Sequence, residues 1–281
     1  MQDTSKRDTA VLGLGLIGSV WARHLDDAGR LAASWNRTPK PDSPRPVATP
    51  REAAEQADHL ILVVADPAAV EAVVTAMAPA LGDRHLVIQS STIGPADSTR
   101  IQALVEKTGA RYLEAPFTGS KPAAEAKKTV YYIGGETAEI QRAEPILSIL
   151  SARRIHIGSG PQACTIKLAM NLQVAALAEA LCEALYLGRA AGLSDDLFFE
   201  CMRGNVSWSG LSALKEPKLR AADYSPQFSI KHLLKDLRLL RDHAGPLPAL
   251  ESMIEQLQQA GQAGREDEDF ITLYNNLGRS A

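Results

Sequence analysis

The order of apolar and polar positions changes character once along the chain, near residue 160. Before that point the apolar runs are short. Residues 9–12 form one that stops at Gly13, and apolar residues then recur at helical spacing over 16–28 until Gly29. This reads as strand, turn, helix. Residues 31–35 make the next strand, and the Pro-rich segment 39–50 is a loop feeding a helix at 51–56. Further β-favouring runs follow at a regular beat, at 59–65, 85–89, 110–114, 129–133 and 154–157, several of them separated by helix-length segments. Such alternation predicts an α/β fold, a doubly wound and mainly parallel sheet covered by helices.

After Gly160 the strand-like runs vanish and long helical patterns replace them, so residues 1–160 and 161–281 are read as two domains, the second all-helical. Pro161 suits a first helical position, where its missing N–H costs nothing, and the pattern runs to about residue 191. That helix would be about 45 Å long. Ile166, Met170, Val174, Leu177, Leu181 and Leu185 mark one apolar face, which Leu168, Leu172 and several alanines widen almost all round, as in a helix buried between neighbours. Ser194 with Asp195 and Asp196 opens another helix, Ser229 caps a third, and two shorter ones follow near 249–259 and 267–277. Residues 1–9 read as a loose polar terminus without the apolar core of a signal peptide.

Composition narrows the function classes. The chain has 281 residues, 45% of them apolar, and a formal charge of −3 with no block of like charge, which offers nothing to nucleic acid or to a membrane surface. The most apolar stretch, 168–187, is interrupted by Asn171, Gln173, Glu179 and Glu183, which a lipid-facing span would not tolerate cheaply. Cys164, Cys182 and Cys201 are an odd number with no CxxC pair, as expected of reduced thiols in a cytoplasmic protein with no metal site.

Gly13, Gly15 and Gly18 form G-x-G-x-x-G where the first strand turns into a capped helix, with Leu14, Leu16 and Ile17 between them. The turn lets backbone N–H groups and a helix N-terminus approach a pyrophosphate, the fingerprint of a Rossmann-type dinucleotide domain. A ligand-free glycine turn is the alternative, disfavoured by the strand before the motif and the helix after it. An acid at the end of the second strand would bond a ribose 2′-hydroxyl and repel a 2′-phosphate. None is present. Asn36, Arg37 and Thr38 stand there, and Arg37 offers a planar fork matched to phosphate oxygens, which favours NADP(H) over NAD.

Lys167 and Asn171 lie four residues apart on the long helix, one turn apart on one face, and the stripe continues through the small residues Ala175 and Ala178. Desolvation there would disfavour the charged lysine and bring its acid strength toward a useful range. Taken alone, the pair is equally a snorkelling lysine beside a helical asparagine.

Several stretches together resemble the β-hydroxyacid dehydrogenase family, which includes 3-hydroxyisobutyrate dehydrogenases, tartronate semialdehyde reductases and glyoxylate/succinic semialdehyde reductases. Besides the glycine fingerprint they are Ser91-Thr92-Ile93-Gly94-Pro95, Glu114-Ala115-Pro116-Phe117-Thr118-Gly119-Ser120, the segment 160–171 with Lys167 and Asn171, and Lys235-Asp236-Leu237. The resemblance implies hydride transfer between nicotinamide and a carbonyl carbon, with Lys167 protonating the developing alkoxide and Asn171 orienting substrate or lysine. It implies that Thr92, Gly119 and Ser120 hold a substrate carboxylate and that Lys235 closes over substrate and nicotinamide. It extends the cofactor contacts to Val64, Ala65, Thr92, Phe228 and Lys235.

Gly119-Ser120-Lys121-Pro122 is closest to the loop of the glyoxylate/succinic semialdehyde reductases, though one lysine is missing, and its added hydroxyl favours small aldehyde or keto acids. Gln89 stands where relatives often have an acid. The expected activity is therefore NADPH-dependent reduction of a small carboxylate-bearing carbonyl compound. Imine reduction on the same architecture and a non-catalytic NADP-binding scaffold are the alternatives; Lys167 argues against the first, and Lys167, Asn171 and Lys235 together argue against the second. The apolar surface of the long helix predicts a homodimer or homotetramer through the helical domain.

Overall fold

The computed structural model describes residues 8–278. The chain divides into two compact units, residues 1–167 and 168–281.

In the first unit β1 (Thr9–Leu12) leads through the glycine turn into α1 (Gly18–Asp27), followed by β2 (Leu31–Trp35), α2 (Pro50–Gln56) and β3 (His59–Leu62). Then come α3 (Pro67–Met77), β4 (Leu86–Gln89), α4 (Pro95–Glu106), β5 (Arg111–Glu114), β6 (Phe117–Thr118), α5 (Lys121–Glu125), β7 (Thr129–Gly134), α6 (Thr137–Leu150) and β8 (Ser151–Gly158). Strands β2, β1, β3, β4 and β5 lie side by side and parallel. The sheet turns mixed at its far end, where β7 runs antiparallel to β5 and β6 and parallel to β8.

Every residue of β1, β3 and β4 is buried, which is why these strands are continuous apolar runs. Neighbouring residues serve opposite faces. Leu12, Leu60, Leu62 and Val87 belong to one core with α2, α3 and α4; Val11, Ile61, Leu86 and Ile88 belong to the other with Trp21 and Leu25 of α1 and Leu147 of α6.

Some boundaries depart from the sequence expectation. Strand β3 ends at Leu62, because Val64 N–H leaves the ladder for the Ser91 hydroxyl at 2.8 Å. Strand β8 starts three residues earlier than its apolar run, paired to β7 through Ser151 and exposed Arg153, with a register shift at Ala152 between them. Elements as short as β6 and α5 carry no period to read. Residues 1–7 lie outside the described residues, but Asp8 and Thr9 are no loose terminus: Thr9 opens β1, and Asp8 accepts from Arg30 at 2.8 Å.

Helix α7 (Gly160–Ala190) begins in the first unit and continues into the second, where α8 (Asp195–Arg203), α9 (Gly210–Ala221), α10 (Ile230–Ala244), α11 (Pro248–Gln262) and a 3-10 stretch, Phe270–Asn276, complete an all-helical unit. Its core joins Leu168, Ala175, Ala178, Cys182 and Leu185 of α7 to Phe199, Leu219, Leu233, Leu237, Leu257 and Phe270. The buried side of α7 thus combines the small residues Ala175, Ala178 and Cys182 with Leu168, Leu181 and Leu185, the last two from the expected apolar face. Met170, on the expected apolar face, is 36% exposed, and Leu187 is 67% exposed.

Ser194 caps α8 as expected, accepting from Leu197 N–H at 3.3 Å. Ser229 stands before α10 without capping it; its hydroxyl bonds His232 Nδ1 at 2.8 Å, and a backbone bridge to Asp269 fixes this helix start. Helix α9 escapes the sequence reading because Gly210 and Pro217 break its pattern, yet Ser209 caps it through Ser212 N–H at 3.1 Å. The final helical stretch is 3-10, tied at its start by Asp269.

Candidate active site

The three fingerprint glycines do different work. Gly13 has φ of 108°, and a Cβ on it would lie 2.3 Å from the Val63 carbonyl oxygen. A Cβ on Gly18 would lie 1.8 Å from the Gly13 carbonyl oxygen, so this glycine lets α1 close against the turn. At Gly15 a Cβ would meet nothing within 4 Å. It leaves the backbone open on the side from which a pyrophosphate must come, so the turn fits a dinucleotide. Contrary to the sequence expectation, α1 has no side-chain cap: Ile17 occupies the cap position, and Ser19 and Val20 N–H donate instead to the Gly15 and Ile17 carbonyls at 3.2 and 2.9 Å. Leu16 beside it is 49% exposed.

The end of β2 is built into the same turn. Asn36 Oδ1 accepts from Leu14 N–H at 2.9 Å and Asn36 Nδ2 donates to the Thr38 carbonyl at 2.7 Å, so this amide shapes the loop rather than projecting from it. Arg37 and Thr38 are exposed. Lys40 donates to the Leu14 carbonyl, which also accepts from Ser19 Oγ at 2.8 Å. Lys40 is a second cation at the nucleotide loop that sequence reasoning missed; its position after Pro39 on a loop gave no signal.

Across the sheet, Val64 and Ala65 follow β3, and Val64 N–H donates to the Ser91 hydroxyl of the Ser91-Thr92 turn. Gln89 fixes that turn from inside: its Oε1 accepts from Ser91 N–H at 2.6 Å and its Nε2 donates to the Ser91 carbonyl at 2.8 Å. The same Nε2 donates to Glu114 Oε1 at 2.8 Å, while Ser98 Oγ and Tyr112 OH each donate to Glu114 Oε2 at 2.6 Å. Burial pushes the Glu114 carboxyl up to about 7 against these donors, which pull it down. Gly119 has φ of 134°, and a Cβ there would meet Thr129 Cγ2 at 2.9 Å, so the substrate loop needs glycine at that point; Ser120 and Thr92 are half-buried.

Lys167 is 8% exposed, and its Nζ stands 6.0 Å from the ring centroid of Phe117, which belongs to the loop carrying Gly119 and Ser120. Phe117 is itself held edge-on by Trp21 at 4.7 Å. The first unit therefore brings the lysine to the ring of Phe117, two residues before Gly119.

In the second unit Asn171, 3% exposed, donates through Nδ2 to Asp236 Oδ2 at 2.6 Å, and Lys235 Nζ lies 2.7 Å from Asp236 Oδ1. One buried carboxylate thus unites the two polar residues expected to serve the site. Asp236 was not itself singled out; the signal was its adjacency to Lys235. Phe228 is half-buried, stacked edge-on with Phe270 at 6.0 Å, and its N–H donates to Asp269 Oδ2 at 3.2 Å. Among the described residues no three His, Cys, Asp or Glu side chains gather to hold a metal ion.

Comparison with known proteins agrees with this geometry. Residues 8–158 match the family described as the NAD binding domain of 6-phosphogluconate dehydrogenase, and residues 161–277 match the NAD-binding domain of NADP-dependent 3-hydroxyisobutyrate dehydrogenase. The chain is 27% identical to glyoxylate/succinic semialdehyde reductase 2 of Arabidopsis thaliana, over 95% of this chain and 78% of that one. It is 29% identical to 3-sulfolactaldehyde reductase of Escherichia coli, over 97% and 96%. The Mycobacterium tuberculosis 3-hydroxyisobutyrate dehydrogenase structure determined with L-serine superposes with a TM-score of 0.87 at 25% identity, covering 97% of this chain and 99% of that one. The chain belongs to the β-hydroxyacid dehydrogenase family and is an NAD(P)-dependent oxidoreductase of the 3-hydroxyisobutyrate dehydrogenase type.

Proposed function

We propose that the protein is an NADPH-dependent reductase of a small aldehyde or keto acid of the glyoxylate or succinic semialdehyde class, with Lys167 as proton donor. The observation that carries this reading is the buried lysine held beside the Phe117–Ser120 loop. Bound nicotinamide supplies the hydride; the protein's own task is to hold the carbonyl compound and deliver a proton to the oxygen as negative charge develops there. Gly119, Ser120 and Thr92 take the acid group, and Asn171 and Lys235 orient substrate and cofactor. One relative is named for glyoxylate and succinic semialdehyde and another for 3-sulfolactaldehyde, all small carbonyl compounds bearing an acid group. The test is NADPH oxidation by the purified protein with glyoxylate, succinic semialdehyde and their homologues. Turnover of none of them, or of cyclic imines alone, overturns the reading.

NADPH is preferred in this proposal because the end of β2 has no acid, while Arg37 and Lys40 supply two cations. Replacing Arg37 by alanine is expected to lower kcat/KM with NADPH by about ten- to a hundredfold, the worth of a charge-assisted contact, and to leave the NADH value nearly unchanged. Equal losses with both cofactors would remove Arg37 from 2′-phosphate recognition.

The oligomer is assigned to the second unit, where Leu187, Leu193 and Leu197 are 67%, 45% and 47% exposed. Sedimentation at micromolar concentration should give a dimer, or a tetramer built from it; a monomer would contradict the assignment.

A further inference from the structure

The Glu114 carboxylate occupies a place that the reduction itself does not explain. It is fully buried, and its hydrogen-bond donors are all neutral: the Gln89 amide, the Ser98 and Tyr112 hydroxyls, and the Cys164 thiol. Each donor comes from a different part of the site. Gln89 ends β4 and clamps both backbone groups of Ser91, whose hydroxyl receives Val64 N–H from the end of β3. Ser98 lies in the first turn of α4, and Cys164 lies on α7 three residues before Lys167. The start of α7 sits directly on this group, since a Cβ on Gly160 would come within 3.0 Å of Ser98 Oγ and 3.3 Å of Glu114 Cβ.

We propose that Glu114 and Gln89 are positioning residues for the reduction. They lock the Ser91-Thr92 turn and the first turns of the Lys167 helix into one register, and the lock holds only while Glu114 is an acceptor. The inference rests on the reading of Lys167 as proton donor.

The acceptor requirement follows from the bond pattern. Two hydroxyls converge on Oε2, and an amide N–H faces Oε1. A proton on Oε1 would meet the Gln89 Nε2 hydrogens, and the amide could turn its oxygen to Glu114 only by releasing Ser91 N–H and the Ser91 carbonyl. A proton on Oε2 would force one of the two hydroxyls to turn away. Burial of Glu114 favours that proton, so the lock opens near neutral pH. The titratable groups facing it are Tyr112 of β5 and Cys164 of α7, with Asp97 of α4 near enough to act on the thiol. Burial raises both Tyr112 and Cys164 well above their usual ranges, so neither titrates with Glu114.

Activity and stability should then move in opposite directions. The folded protein binds a proton on Glu114 up to about pH 7, well above the usual carboxylate range of an unfolded chain. Its contribution to stability therefore falls as pH rises through that window. The lock needs the ionised form, so kcat should rise over the same window.

The test compares the wild-type protein with Glu114→Gln and Gln89→Met. Wild-type kcat should show a limb that falls below about pH 7. Glu114→Gln, permanently neutral, should lose that limb and run about ten- to a hundredfold slower at pH 8, with KM for NADPH much less changed. Gln89→Met, which removes a donor from the carboxylate, should be similarly slow and shift the limb to higher pH. Amide hydrogen exchange of the peptide covering residues 86–95 should quicken in both variants while that of β1 does not. Folded variants with wild-type kcat and an unmoved limb overturn the proposal, as does a lowered Tm alone, which would leave Glu114 a packing residue. If the wild-type protein reduces no carbonyl acid, the reductase reading fails, and unchanged exchange at 86–95 separately decides against the lock.

Discussion

Replacing Lys167 by alanine is expected to lower kcat for carbonyl reduction by about a hundredfold or more, the usual cost of losing a placed general acid. NADPH affinity should change little, because the glycine turn, Asn36, Lys40 and Val64 that shape the nucleotide loop lie on other elements. The expected pattern is a loss in kcat and kcat/KM together, the mark of an interaction made in the transition state rather than in binding. Lys167→Arg is the sharper control, since it keeps a cation beside Phe117 but holds its proton too tightly to give it up. A wild-type kcat in Lys167→Ala would sink the mechanism; a restored rate in Lys167→Arg would mean that the charge matters and the proton does not.

The largest effect on stability is expected at Asp269. Its carboxylate is 0% exposed and pairs at 2.7 Å with Lys215, itself 1% exposed, whose Nζ also stands 4.4 Å from the Phe270 ring centroid. Burial alone would lower the Lys215 pKa, and the adjacent carboxylate partly restores it. The carboxylate further accepts from Gln227, Phe228 and Ile271 N–H groups. Asp269→Ala leaves the buried Lys215 ammonium facing the neutral Gln227 Oε1 at 3.2 Å instead of a carboxylate and strips these N–H groups of their acceptor, and a cost of about 3–5 kcal/mol is expected in urea unfolding. Replacing both partners together, as Lys215→Met with Asp269→Asn, should cost less than Asp269→Ala, since no charge is then stranded and the amide oxygen can still accept from the backbone. A single-variant loss below about 1 kcal/mol would put the pair in the class of surface ion pairs.

Much of this molecule was legible in order and spacing. The end of β1 and the start of α7 follow from an apolar run ended by glycine and a helical run opened by proline, because local rules decide them. The glycine fingerprint was readable for the same reason, Gly13 and Gly18 each answering a steric demand of one turn. Other features depend on what lies across space. Asp236 looks like a surface residue beside Lys235 until Asn171, 65 positions away, is seen to donate to it. Gln89 has no meaning in sequence until Glu114 is placed against it from the neighbouring strand. The expected apolar face of α7 held at Leu181 and Leu185 but not at Met170, because periodicity ranks residues by size and hydropathy, whereas close packing in the second unit also takes in Ala175 and Ala178. Helix α9 shows the converse, a cap at Ser209 and tertiary packing of Leu219 overriding an internal proline.

The division of β1, β3 and β4 between two cores makes the sheet an energetic insulator. Val11 and Leu12 are joined by one peptide bond, yet they share no core neighbours, while Leu12 and Leu62, fifty residues apart, pack in the same one. Substitutions at Val11 and Leu12 should therefore behave as independent perturbations, and those at Leu12 and Leu62 as coupled ones. Variation can accumulate on the α1–α6 side of the sheet without disturbing the packing beneath α2, α3 and α4, but Leu14, Ile17 and Val63 pack in that same α1–α6 core, so the nucleotide turn answers to one face of the sheet more than to the other.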